Sequence, residues 1–97
     1  MAGYVQFYKY TQQGLSSLKA SPGRLTAAKA EAAKLGIQSV GVWLTMGEYD
    51  LVGIWDAPDD QTMAAFSLAL GKLGNVSATT ARAFSEDEFA KIVSKLP

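Results

Sequence analysis

The sequence predicts an α+β fold in which two long helices cover one face of a four-stranded antiparallel sheet. Segments rich in β-branched and aromatic residues alternate with two segments whose apolar residues recur every three to four positions. Their order is β-α-β-β-α-β, and one short helical segment follows. Because 97 residues are the size of one domain, we expect a single domain over residues 1–97.

The first half of the chain supplies two strands and one long helix. Strand one is predicted over residues 3–10, and a polar connection follows it. The pair Ser21-Pro22 is typical of a helix start, with Ser21 as the N-cap, and Gly36 is typical of a helix end. Strand two is predicted over residues 37–45, and a short reversal at 46–48 pairs it with the next strand.

The second half repeats this pattern and adds a terminal helix. Strand three is predicted over residues 49–56, and Asp59 is the predicted cap of the second long helix. Strand four follows over residues 75–84, and Ser85 with Glu88 forms the capping box of a C-terminal helix. This element order is that of the ferredoxin-like fold, whose two helices lie on one face of the sheet.

Composition excludes several classes of function. The chain has no cysteine and no histidine, which removes disulfides, thiolate nucleophiles and the commonest metal and haem ligands. Nine basic and nine acidic residues balance without a basic run, so we expect neither nucleic acid nor a membrane as partner. We expect no cofactor, no metal site and a cytoplasmic location. The acidic residues at 56, 59 and 60 match no metal-binding loop and are explained by helix capping.

The sheet face that the helices leave open is expected to be apolar. If Val5, Val42 and Val52 face the helices, the aromatic residues of the strands lie on the other face. Such a face spans about 400 Å², which is near the largest apolar patch that a monomer exposes. We therefore expect a homo-oligomer that associates through Tyr8, Trp43 and Trp55. The alternative is that the C-terminal helix covers this face in its own chain.

Tyr49 and Asp50 are the candidate catalytic pair, because a carboxylate is unusual in a strand. Asp50 could act as a base and Tyr49 could donate a hydrogen bond to a substrate oxygen. We prefer a structural role, in which Asp50 accepts hydrogen bonds from backbone amides or pairs with Arg24 or Arg82. Arg24 is the expected partner, since a cation in the first turn of a helix is unfavourable without a compensating anion. A ligand anion is the other partner that Arg24 could have.

Tyr8, Trp43 and Trp55 are, with Arg24, the candidate ligand-binding residues. Their rings could line a pocket for an apolar or aromatic small molecule. Packing at a subunit contact is the use we prefer, since aromatic residues are enriched there.

Short segments along nearly the whole chain have the order and spacing of one known family. They are Thr11 and Gly14, Pro22 and Arg24, Gly47-Glu48-Tyr49-Asp50, Ala57-Pro58-Asp59-Asp60, Gly74-Asn75-Val76, and Arg82-Ala83-Phe84 with Glu88. The chain thereby resembles the GYD domain family, and departs from it at Ile37, where a second glycine is expected. The resemblance implies a dimeric α+β barrel, in which two ferredoxin-like sheets pack face to face. That wider group includes cofactor-free monooxygenases, isomerases, haem enzymes and binding modules, so fold does not fix activity.

Two functions remain open at this stage. The preferred one is a homo-oligomeric α+β barrel module that binds a small molecule or serves as an assembly unit. The alternative is a cofactor-independent enzyme of the monooxygenase or isomerase type that uses Asp50 and Tyr49.

Overall fold

The computed structural model describes all 97 residues and confirms the α+β fold. The antiparallel sheet has the strand order β2-β3-β1-β4, which is the ferredoxin-like arrangement. Its strands are β1 (Ala2–Tyr10), β2 (Gln38–Leu44), β3 (Leu51–Ala57) and β4 (Val76–Ala83). The helices are α1 (Gln12–Ser16), α2 (Ser21–Lys34), α3 (Asp60–Leu73) and α4 (Glu86–Val93), with a 3-10 turn at Leu18–Ala20.

Local sequence signals set most helix ends. The Asp59 side chain accepts a hydrogen bond from the backbone N–H of Thr62 at 2.8 Å, and Gly74 ends α3 with a left-handed φ of 81°. Ser85 and Glu88 form the predicted capping box of α4. The predicted cap of α2 is wrong by one residue. Ala20 is the cap and Ser21 is the first helical residue, with its hydroxyl 2.7 Å from that of Tyr10.

The helices cover the opposite faces of β1 and β3 from those predicted, whereas in β2 Val42 faces the helices and Trp43 faces away from them, as expected. Tyr4, Tyr8 and Trp55 are 4%, 5% and 1% exposed and lie beneath α2 and α3. The alternation along β1 presented two sets of large side chains, and periodicity alone could not choose between them. Gln6, which shares the face of Tyr4 and Tyr8, is fully buried there because its amide donates to Ser67 and Thr80 at 2.8 and 3.0 Å. The members of the buried core are Tyr4, Ala32, Ile37, Trp55, Ala57, Met63 and Phe66.

The face without helices, which we call the open face, is nevertheless apolar. The strand register places Phe7 beside Val52, and Val52 beside Trp43, in one row across three strands. Val5 and Ile54 form the next row on the same face. Trp43 is 52% exposed, so this face has no cover within the chain.

Helix α4 does not cover the open face of its own chain. None of its residues is buried, and its large apolar side chains remain exposed. The molecule measures 52 × 31 × 18 Å, and its radius of gyration of 14.6 Å exceeds the value of about 13 Å that is usual for this length. Each of the two longest helices has 14 residues, and no helix combines the length and the apolar character that a membrane span requires. The exposed apolar side chains of α4 and of the residues after it are Phe89, Ile92, Val93 and Leu96.

Helix α1 docks against the connection between α3 and β4 at Gly14. A Cβ atom added at Gly14 would lie 2.1 Å from the backbone oxygen of Asn75, whereas one added at Gly23 in α2 would meet nothing within 4 Å. We expect Gly14→Ala to lower the free energy of unfolding by about 1–3 kcal/mol or more, because backbone must move. Gly23→Ala is the matched control and should be neutral or stabilising by up to about 1 kcal/mol. Chemical denaturation measures both variants, and equal midpoints would show that α1 does not dock as described.

Candidate functional site

A cleft of about 830 Å³ lies between the sheet and the two long helices, and fourteen of its twenty lining residues are hydrophobic. It exists because α2 packs mainly on β2 while α3 packs mainly on β4 and β3, which leaves a gap between the helices above the middle of the sheet. Its volume lies within the range of small-molecule sites. The sheet supplies the floor, which consists of Tyr8, Val42, Leu51 and Trp55, and the helices supply walls that include Leu25, Ala28, Phe66, Ala69 and Leu70.

A chain of hydrogen bonds fixes the aromatic floor. The indole N–H of Trp55 donates to the Tyr8 hydroxyl at 3.0 Å, and that hydroxyl donates to the side-chain oxygen of Gln6. A Cβ atom at Gly53 would lie 2.8 Å from the Trp55 nitrogen and 3.0 Å from the Tyr8 oxygen, so a glycine makes room for the pair. No buried side-chain polar atom lacks a partner. The rings of Tyr8 and Trp55 therefore close the bottom of the cleft, while their polar atoms bond to one another.

Burial determines the charge state of the floor. It raises the pKa of Tyr8 to about 12, against a smaller opposing effect from the Trp55 hydrogen bond. The Tyr8 hydroxyl therefore stays protonated well into the alkaline range and continues to donate to Gln6 there.

Arg24 lies at the polar end of the cleft. Its Nη1 donates to the backbone and side-chain oxygens of Ser17 at 2.9 and 3.0 Å, and its Nη2 donates to the backbone oxygen of Gly14 at 3.3 Å. The Tyr10 and Ser21 hydroxyls bond to each other at 2.7 Å and also line the cleft. These contacts tie the first turn of α2 to α1 and hold the guanidinium in place.

The predicted pairing of Arg24 with Asp50 is wrong. No nitrogen of Arg24 lies within 4.0 Å of any carboxylate oxygen. Asp50 precedes β3 instead of belonging to it, and its carboxylate accepts from the backbone N–H of Tyr10 at 2.8 Å. Its own backbone N–H donates to the Tyr8 carbonyl, and its carbonyl accepts from Thr45, each at 2.8 Å. Asp50 therefore ties the turn between β2 and β3 to the end of β1, which explains a carboxylate at this position.

Tyr49 lies beside Asp50 but on the open-face side of the sheet. Its ring centroid is 4.9 Å from that of Phe7, and the Lys9 ammonium lies 5.3 Å from the Tyr49 ring. Neither Tyr49 nor Asp50 lines the cleft. The structure therefore does not bring the candidate catalytic pair together with the aromatic floor.

Three of the four predicted ligand-binding residues line one cavity. Arg24, Tyr8 and Trp55 meet in the cleft, whereas Trp43 lies on the open face. The structure thus contains a pocket that is lined by aromatic residues and Arg24, and this pocket lies on the helix-covered face of the sheet. Sequence reasoning missed Gln6, whose signal is a polar residue between two tyrosines that share its face of β1.

Arg82, the second arginine, has an acidic partner and a structural place. Its Nη2 lies 3.5 Å from the Glu88 carboxylate, and its guanidinium lies 4.4 Å from the Phe84 ring. Its Nη1 donates to the Gly3 carbonyl at 3.0 Å. The hydrogen bond from the backbone N–H of Ser85 is the main cause that holds the pKa of Glu88 below its usual value. The positive charge of Arg82 lowers this pKa further, by a smaller amount. Arg82 therefore joins the start of α4 to the edge of the sheet.

The family model of the GYD domain matches residues 4–93, which include the whole cleft and all but the ends of the chain. Comparisons with curated proteins and with solved structures found no match.

Tyr8 should make stability depend on pH in the alkaline range. Its pKa is about 12 in the folded chain against a reference value of 10.0, so the folded state keeps a proton that the unfolded state loses. This contribution to stability is complete below pH 10 and falls as pH rises to 12, by up to about 3 kcal/mol. Tyr8→Phe should reduce this loss, while lowering stability at pH 7 by about 1–3 kcal/mol because Gln6 and Trp55 lose a partner.

Denaturation of both proteins at intervals from pH 8 to pH 12 measures the effect. Tyr49→Phe is the control, since its hydroxyl makes no hydrogen bond within the protein. If Tyr8→Phe and Tyr49→Phe lose the same stability between pH 10 and pH 12, the Tyr8 hydroxyl is not buried as described.

Proposed function

The chain belongs to the GYD domain family, and we propose that it is a homo-oligomeric module that binds an apolar or aromatic small molecule. The observation that carries the proposal is the cleft of about 830 Å³ over the Tyr8 and Trp55 rings. A groove between helices and sheet with few polar groups at one end is a typical small-molecule site. Each 100 Å² of apolar surface that a ligand removes from water there contributes about 2.5 kcal/mol.

Binding has more support than catalysis by the candidate pair. A base must come within hydrogen-bond reach of the proton that it removes. Asp50 is held by the Tyr10 amide outside the cleft, and Tyr49 packs on Phe7. The cleft lining contains one carboxylate, Glu31, which pairs with Lys34 at 3.0 Å.

A second copy of the chain is the partner that we propose for the open face. The rows of Phe7, Val52 and Trp43 and of Val5 and Ile54 give that face an apolar centre without cover. Helix α4 adds a second uncovered apolar surface at the end of the molecule. An interface on the sheet alone gains about 10 kcal/mol, which is comparable to the cost of association. Contacts of α4 with the partner copy would supply the remainder.

The cleft should bind the neutral fluorescent probe N-phenyl-1-naphthylamine. A Trp43→Phe background leaves Trp55, on the cleft floor, as the single tryptophan, so bound probe should quench it by energy transfer. In that background, Ala28→Leu should weaken binding about tenfold, because the larger side chain occupies the cleft. Ala30→Leu on the exposed side of α2 is the matched control and should leave the affinity unchanged. Absence of quenching, or equal loss in both variants, contradicts a ligand site in the cleft.

Self-association should depend on the open face. Light scattering over a dilution series is expected to show a dimer or a larger oligomer of the unmodified chain at micromolar concentration. Trp43→Glu should shift it to monomer, because a buried unpaired charge costs several kcal/mol. Leu68→Glu is the control, since Leu68 is 75% exposed on α3. A strict monomer of the unmodified chain at high micromolar concentration contradicts the proposed assembly.

A further inference from the structure

The charges around the cleft are not balanced, although those of the chain are. The whole chain has nine basic and nine acidic residues. The cleft is lined by three cations, Arg24, Lys34 and Lys72, and by one anion, Glu31, which gives 3 − 1 = +2. Glu31 is already paired with Lys34, on the same helix, at 3.0 Å. Arg24 and Lys72 have no carboxylate within 4.0 Å of their side-chain nitrogens.

Arg24 is held in place by neutral groups only. Its three hydrogen bonds go to the oxygens of Ser17 and to the carbonyl of Gly14. A guanidinium has five N–H donors, so Arg24 keeps donors in reserve while its position is fixed. Arg82 differs, because the Glu88 carboxylate lies beside it. Arg24 therefore presents a positioned, uncompensated charge at one end of an apolar cavity.

We infer that the ligand of the cleft is an amphipathic organic acid with one terminal carboxylate. Its apolar body would lie against the half-buried side chains of Leu25, Leu51 and Leu70, above the buried rings of the floor, and its carboxylate would accept hydrogen bonds from Arg24. An arginine fork and a carboxylate form a charge-assisted pair with matching geometry. This inference rests on the proposed function and adds the chemical class of the ligand.

Helix α4 of another copy is the alternative occupant of the cleft. The first turn of α4 is acidic and its apolar side chains are exposed, so it shares both properties with the proposed ligand. The Glu88 carboxylate of that turn is already engaged by Arg82 and by the backbone N–H of Ser85. The single carboxylate of an acid of about ten carbons is free to pair with Arg24, and the cleft of about 830 Å³ accommodates its chain.

Competition between a matched acid and alcohol tests the inference. Decanoate and decanol are each titrated against bound N-phenyl-1-naphthylamine at pH 8, below their aggregation limits. Decanoate should displace the probe at a concentration about tenfold lower than decanol does, because only the acid pairs with Arg24. Arg24→Gln should abolish this difference, Arg24→Lys should retain part of it, and Lys29→Gln, at an exposed position of α2 outside the cleft, should leave it unchanged.

Equal displacement by the acid and the alcohol in the unmodified chain overturns the inference but leaves the proposed function standing, since the probe still binds. Failure of the probe to bind overturns both. If Arg24→Gln impairs folding, the unmodified chain alone decides the inference, through the ratio of the decanol and decanoate concentrations that displace the probe. A more than tenfold gain in probe affinity in the double variant Phe89→Ser, Ile92→Ser would show that α4 of a neighbour fills the cleft, and would overturn the inference as well.

Discussion

The hydrogen-bond chain from Trp55 through Tyr8 to Gln6 is the interaction on which the arrangement of the domain depends. Large rings with polar tips can be buried only where each tip finds a partner. Ser67 on α3 and Thr80 on β4 complete the chain at Gln6, so its partners come from the helix layer as well as from the sheet. This requirement explains why the face of Tyr4, Tyr8 and Trp55, and not the face of Phe7 and Val52, lies under the helices.

The same constraint produces the cleft. The rings of Tyr8 and Trp55 form a rigid floor, and the two separated helices leave a groove above it. At the polar end, Thr11 and Gln13 bond to the backbone of Gly74 and Leu73 at 2.5 and 2.9 Å, and Arg24 bonds back to α1. These contacts join α1 to the end of α3 and to α2, and they fix the cation at this end of the cleft. The cavity thus follows from packing, and its charge follows from the placement of one arginine.

Local signals in the sequence predicted the elements but not their packing. Asp59, Gly74 and the pair Ser85 with Glu88 act through their own backbone neighbours, so their roles could be read directly. The face of the sheet that the helices cover could not be predicted, because both faces of β1 carry large side chains. The two faces differ in Gln6, whose hydrogen-bond partners Ser67 and Thr80 are distant in the sequence. Backbone amides were one of the expected partners of Asp50, but the Tyr10 amide could not be chosen over Arg24, because a backbone amide leaves no signal in the side-chain pattern.

The most direct test of this account is the environment of Trp55, measured by acrylamide quenching in a Trp43→Phe variant with the denatured variant as reference. Trp55 is 1% exposed beneath the helices and packs on Phe66, with ring centroids 5.0 Å apart. The account predicts emission shifted to the blue and quenching several-fold weaker than in the denatured chain. Emission and quenching equal to those of the denatured chain would place Trp55 on the open face, and would contradict the aromatic floor together with the cleft built on it.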